Sequence, residues 1–163
     1  MHDIFLLCGG NLNNTKKKYI ELNNLLNSLI GKIQQQSQYY QSEAWGYCSE
    51  NTFINVAFHI KTNLSIFEAL EQCLHIEKLL GRKAHEKYPY QDRAMDIDII
   101  FFDDIIVNNN TLTIPHPLME KRNFVLLPLS EICPLKVHPI LGKTIQELLA
   151  NSPDNVLPKP ISL

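Results

Sequence analysis

Arg93-Ala94-Met95-Asp96-Ile97-Asp98-Ile99-Ile100-Phe101-Phe102 is an apolar run broken by two carboxylates, and it reads as a buried strand. Side chains alternate faces along a strand, so Asp96 and Asp98 point one way while Met95, Ile97 and Ile99 point the other. Two anions about 7 Å apart on one surface are costly to bury unless a cation stands between them. A divalent ion with few oxygen ligands and no adjacent His or Cys suits Mg²⁺ that completes its shell with water and substrate phosphates. The alternative is a strand end whose aspartates face solvent.

Outward from that strand, the 163 residues predict one domain, 1–163, with no second core. Charged side chains make up 20% and the net charge is -2, so the total carries no nucleic-acid footprint. Cys8, Cys48, Cys73 and Cys133 form no C-x-x-C pair, which predicts free thiols in a reducing cytoplasm. The apolar runs Ile4 to Cys8 and Ile97 to Phe102 fall far short of the roughly 20 residues a membrane span needs.

Toward the N-terminus, Ile4 to Cys8 predicts a strand that stops in a tight turn at Gly9-Gly10-Asn11. A helix follows, capped by Asn13, Asn14 or Thr15, with Tyr19, Leu22, Leu26, Leu29 and Ile33 on its apolar stripe and Gly31 at its end. Gln34 to Ser42 reads as an edge strand that enters a loop with the only Trp, Trp45. Thr52 to Lys61 alternates, with Ile54, Val56, Phe58 and Ile60 on one face and Phe53, Asn55, Ala57 and His59 on the other. An amide beside a ring can read a flat heterocycle, or simply face solvent.

Ser65 and Glu68 form a capping box for a second helix that Gly81 should end. Stepping along its stripe places Glu77 in or beside the core, where it needs a partner such as an Arg. Lys78, Arg82, Lys83, His85, Lys87 and Arg93, with Tyr88, Pro89 and Tyr90, make a basic loop just before the aspartates. It could bring cations over a polyphosphate or lie solvated. Beyond the aspartate strand, turns at Asp103-Asp104 and Asn108 to Asn110 suggest a hairpin with Thr111 to Ile114 as its short partner. Pro115-His116-Pro117 holds a His with little freedom, Phe124 to Leu129 packs, and Thr144 with Glu147 caps a last helix before an irregular Pro-rich tail.

Taken together and in order, Gly9-Gly10-Asn11-Leu12, Ser42-Glu43-Ala44-Trp45-Gly46, Phe53-Ile54-Asn55, Ile76-Glu77 with Gly81-Arg82, Arg93-x-x-Asp96-Ile97-Asp98-Ile99, and Pro115-His116-Pro117 with Arg122-x-Phe124 resemble 6-hydroxymethyl-7,8-dihydropterin pyrophosphokinases of folate biosynthesis. The resemblance spans about residues 5 to 135, leaving a C-terminal helix and Pro-rich tail over 136–163. It implies a ferredoxin-like α+β domain, an antiparallel sheet with helices packed on it, working as a monomer in the cytoplasm. The partners implied are ATP as co-substrate, the hydroxymethyl pterin and two Mg²⁺ ions, with no nucleic acid and no membrane.

Carried over residue by residue, the resemblance assigns Asp96 and Asp98 to metal and, with Arg82 and Arg93, to catalysis. Glu77, Arg82, Arg93, Ile99, Thr113, His116 and Arg122 fall to ATP; Ser42, Glu43, Trp45, Phe53, Asn55, Tyr90 and Phe124 fall to the pterin. No general base is implied, since transfer of this kind rests on positioning and charge neutralisation. The family's usual Trp-Gly-Pro-Arg run reads Tyr90-Gln91-Asp92-Arg93 here, and Leu74, Ala84 and Thr111 replace a Gln and two Arg expected toward ATP. The rival reading from another class is a nucleic-acid-binding module on a ferredoxin-like sheet, which would need an aromatic K/R-G-F/Y strand that this chain lacks.

Overall fold

The computed structural model describes residues 1–83 and 90–163. Of the basic loop, Ala84, His85, Lys87, Tyr88 and Pro89 lie outside the described residues. β1 (His2–Gly10) lies between β4 (Phe53–Thr62) and β5 (Asp96–Phe102), antiparallel to both. The sheet runs β5-β1-β4-β3-β8, where β3 is Tyr39–Ser42 and β8 is Lys159–Ile161; β2 (Lys32–Gln36) pairs farther along β4. A separate two-stranded ribbon joins β6 (Val107–Asn108) to β7 (Thr113–Ile114).

Both faces of the sheet are covered. On one, Ile4, Leu6, Cys8, Val56, Phe58, Ile97 and Ile99 pack with Tyr19, Leu22, Cys73 and Ile76 of α1 (Lys16–Leu25) and α2 (Ile66–Leu79). On the other, Phe5, Leu7, Ala57, Ile100 and Phe101 meet α3 (Asn123–Ile132) and α4 (Ile145–Ala150). The alternation expected for β5 holds through Ile99 and then slips. Phe5 faces Phe101 while Leu6 faces Ile99, so Ile100 is an extra residue in the ladder and turns toward α3 along with Phe101. That bulge keeps Ile97 and Ile99 under α2 and leaves Asp96 and Asp98 on the opposite face.

The caps fall where the residue pattern puts them. Thr15 accepts the Lys18 N–H at the start of α1, and both reciprocal bonds of the capping boxes at Ser65 and Thr144 form. Removing such a cap costs about 1 kcal/mol. Gly81 ends α2 at φ +101°, a conformation that favours glycine.

Several expectations are corrected. Gly9 and Gly10 do not turn; they continue β1, paired with Asn55 and Ile54. Gln34 to Ser42 is two strands broken at Ser37, whose N–H and hydroxyl both engage the Ala57 backbone. The tail is not irregular throughout, because β8 covers the outer edge of β3 and makes β3 internal. The expected hairpin does form: Thr113 and Ile114 pair with Val107 and Asn108 in a ribbon apart from the sheet, which the chain has already left at Asp103-Asp104. Ile33, finally, belongs to β2, because a short π turn over Leu26–Ile30 ends the first helix ahead of it.

Candidate active site

Two clefts open on either side of the Asp96 and Asp98 face. One, about 410 Å³, is lined by Ser42, Glu43, Trp45, Phe53, Asn55, Tyr90, Arg93, Arg122 and Phe124, among others. The other, about 330 Å³, runs past Leu70, Leu74, Glu77, Ile99, Asn109 and Thr113. Arg82, Asp96, Asp98, His116 and Pro117 line both, so they form the shared wall. Every residue assigned to the pterin falls in the first cleft. The nucleotide set divides: Glu77, Ile99 and Thr113 lie in the second, Arg82 and His116 on the wall, and Arg93 and Arg122 in the first.

The wall is a chain of charges. Glu77, buried within the α2 stripe, accepts the Ile97 N–H at 2.8 Å and meets Arg82 at 2.6 Å. This is the partner its position demands. Arg82 continues to Asp96 at 2.8 Å, and Arg93 reaches the other oxygen of Asp96 at 2.7 Å. Burial, then the nearby Asp96 charge, pushes the Glu77 carboxyl up to about 7. The same two causes push Asp98 up, opposed by Arg122, Arg93 and Arg82. His116 stands 3.6 Å from Asp98, too long for a hydrogen bond, and burial followed by the Arg122 charge lowers it to about 4. It is therefore a neutral imidazole at neutral pH. Its backbone N–H is tied to the Ile100 carbonyl at 3.1 Å, which fixes the turn against the strand bulge.

In the first cleft the rings are arranged as a slot. Arg122 lies 4.4 Å from the Trp45 ring centroid and 5.8 Å from that of Phe124. Tyr90 lies nearly parallel to Trp45 with 6.4 Å between centroids, and its ring rests where a Gly46 Cβ would be, 2.7 Å away. Asn55 and Ser42 sit at the floor, both buried, with their side chains 3.5 Å apart. Asn55 fits only because Gly9 stands opposite: a Cβ there would be 2.1 Å from its Oδ1.

The donor set also suits a hard cation. Asp96 and Asp98 share a face, Asp98 is held up by burial and then by a like charge, and no group of three or more His, Cys, Asp or Glu able to hold a metal occurs among the described residues. Two carboxylates without a protein cage match Mg²⁺, which keeps water and takes substrate phosphates as its other ligands. Several lining residues were not singled out beforehand, chiefly Leu7, Tyr47 and Leu118 in the first cleft and Leu70, Asn109 and Asn110 in the second. Leu70 and Leu74, one turn apart and leading to Glu77, were the available signal for the groove wall. Leu74 and Thr111, two of the three departures, do line that groove. No helix among the described residues is long and apolar enough to cross a membrane.

Residues 5–134 match the family model described as 7,8-dihydro-6-hydroxymethylpterin-pyrophosphokinase. The chain is 37% identical to a 2-amino-4-hydroxy-6-hydroxymethyldihydropteridine pyrophosphokinase of Aquifex aeolicus, covering 77% of this chain and 76% of that one. It is 35% identical to the folic acid synthesis protein FOL1 of Dictyostelium discoideum over 96% of this chain and 24% of that protein. Among solved structures, Plasmodium falciparum HPPK-DHPS with pteroate superposes with a TM-score of 0.72 at 18% identity, over 91% of this chain and 42% of that one. That likeness concerns the fold.

Proposed function

The chain belongs to the 7,8-dihydro-6-hydroxymethylpterin-pyrophosphokinase family, and on that premise we propose that it moves the terminal pyrophosphoryl group of ATP to the hydroxymethyl oxygen of 6-hydroxymethyl-7,8-dihydropterin, releasing AMP in folate biosynthesis. The observation that carries this is the shared wall: two clefts, one ring-lined and one beside Glu77 and Thr113, meet at Asp96 and Asp98. A flat heterocycle in the first and a nucleotide in the second would bring hydroxyl and triphosphate together there.

In the transfer, the pterin oxygen bonds to the β-phosphorus as the bridging bond to the α-phosphate breaks. The bridging oxygen leaves on AMP, and the hydroxyl proton passes to solvent. Asn55 and Ser42 hydrogen-bond the heterocycle edge while Trp45, Tyr90 and Phe124 hold its faces. Arg82 and Arg93, already aimed at the wall, and Arg122 neutralise the phosphates as charge moves toward the leaving AMP. Asp96 and Asp98 would hold Mg²⁺, two ions on the family pattern, which would screen the triphosphate from both carboxylates and would favour the ionised form of Asp98. Such a site needs no general base, and neutral His116 serves as a hydrogen-bond donor to phosphate. The protein would work in the cytoplasm as a monomer.

Incubating the protein with ATP, Mg²⁺ and the reduced hydroxymethyl pterin should release AMP and the pterin diphosphate in equal amounts. ADP release, or no turnover, would overturn the reading. Asp98→Ala should reduce turnover at least about a thousandfold while circular dichroism stays native.

A further inference from the structure

Asp92 occupies the place where the family's Pro would stand, and its carboxylate is the meeting point of two loops. Its Oδ1 accepts from Asn11 Nδ2 at 2.7 Å, from the Ser49 hydroxyl at 2.7 Å and from the Tyr47 hydroxyl at 3.1 Å. Its Oδ2 accepts from Asn51 Nδ2 at 2.8 Å. Asn11 comes from the loop between β1 and α1, and the other three donors from the loop between β3 and β4. Four donors on one carboxylate hold it down to about 2, the Ser49 hydrogen bond being the largest cause, so it stays ionised at any working pH.

The two sides of this hub lead to different parts of the site. On one side, buried Asn11 also fixes the backbone of Arg93: its Oδ1 accepts the Arg93 N–H at 2.8 Å, and its own N–H donates to the Arg93 carbonyl at 3.0 Å. Arg93 in turn reaches Asp96. On the other side, residues 43–52 carry Trp45 and Gly46, on which the Tyr90 ring rests. A Pro at position 92 could accept none of these side-chain bonds.

We propose that Asp92 is a positioning residue for the pterin: it pins the Trp45 loop to the Arg93 segment, so the ring slot stands in register with the Asp96 and Asp98 wall before substrate arrives. The slot then closes on the heterocycle without first ordering a ten-residue loop, whose entropic cost would otherwise be drawn from pterin affinity. Arg93 keeps its own backbone tie to Asn11 when Asp92 is lost, so the effect falls on the pterin and not on ATP.

This rests on the pterin pyrophosphokinase reading, and the test separates the two. Trp45 is the only Trp, so the emission of the ligand-free protein reports the position of its loop whether or not the protein turns over. Asp92→Ala should shift that emission to the red and raise the pterin KM about tenfold or more, while the ATP KM stays within about twofold and Tm falls little. Asp92→Asn, which keeps Oδ1 as acceptor, should recover part of the loss. Ser49→Ala and Asn51→Ala each remove one donor and should move pterin KM in the same direction by less; they decide the matter should Asp92→Ala not fold. Unchanged emission with an unchanged pterin KM, or an equal rise in both KM values, would overturn the proposal. A wild-type protein that never releases AMP would instead sink the parent reading, with the emission shift still readable.

Discussion

His116 has the clearest pH signature of any single side chain at the wall. Its folded pKa is about 4, against 6.5 for a free imidazole, because burial and Arg122 disfavour the cation. Between those values the unfolded chain binds a proton that the native state refuses, so His116 contributes stability that is present above pH 6.5 and lost as pH falls toward 4. At pH 5 the loss relative to pH 8 amounts to about 2 kcal/mol. Glu77 and Asp98 act in the opposite sense, since raised carboxyls take up protons in the native state as pH falls. Urea titrations of the wild type and His116→Gln at both pH values isolate the imidazole: the variant should lose less stability on acidification by about that amount, and identical losses would contradict the assignment. The rigid His between prolines was readable from sequence; its neutrality was not, because Arg122 and the burial arise from packing.

At the scale of elements, the legible parts were those with local chemical cause. Ser65 with Glu68 and Thr144 with Glu147 announce helices through reciprocal bonds three residues apart, and the alternation of Phe53 to Ile60 sorts one strand onto two faces. β8 carried no such signal. Three residues with a central Pro160 read as tail, and only the open edge of Tyr39–Gln41, far away in sequence, makes them a strand. Gly9-Gly10 was misread for a related reason: glycine signals turns, yet here it serves close approach within a strand. The two positions should therefore fail differently. A Cβ at Gly10 meets the Ala94 backbone carbonyl at 2.2 Å, which must shift, whereas at Gly9 the obstacle is the end of the Asn55 side chain. Gly10→Ala should cost about 1–3 kcal/mol of stability by denaturant titration. Gly9→Ala should unfold nearer to wild type but lose pterin affinity as Asn55 is pushed aside; equal destabilisation by both would refute the distinction.

Across the whole molecule, two clefts meet at one pair of carboxylates, so on the proposed reading their ligands should differ in what they ask of the metal. The end of the first cleft proposed for the pterin is built from rings, an amide and a hydroxyl, none of which needs a cation to accept a neutral heterocycle. The second, proposed for the nucleotide, is lined by Asp96 and Asp98 themselves. A triphosphate arriving there without Mg²⁺ brings several negative charges against the Asp96 and Asp98 pair with no cation between them, and Arg82 is already engaged by Glu77 and Asp96. Thermal unfolding can separate the two terms, because a ligand that binds only the native state raises Tm by mass action. With each ligand at about a hundred times its Kd, the shift for a domain of this size should be roughly 5–10 °C. The pterin shift should survive EDTA, while the shift given by a non-hydrolysable ATP analogue should require Mg²⁺. With Mg²⁺ present, the analogue and the pterin together should raise Tm by at least the sum of their separate effects, if they take the two clefts as proposed. A pterin shift abolished by EDTA, or an analogue shift indifferent to it, would place the metal elsewhere than the Asp96 and Asp98 wall.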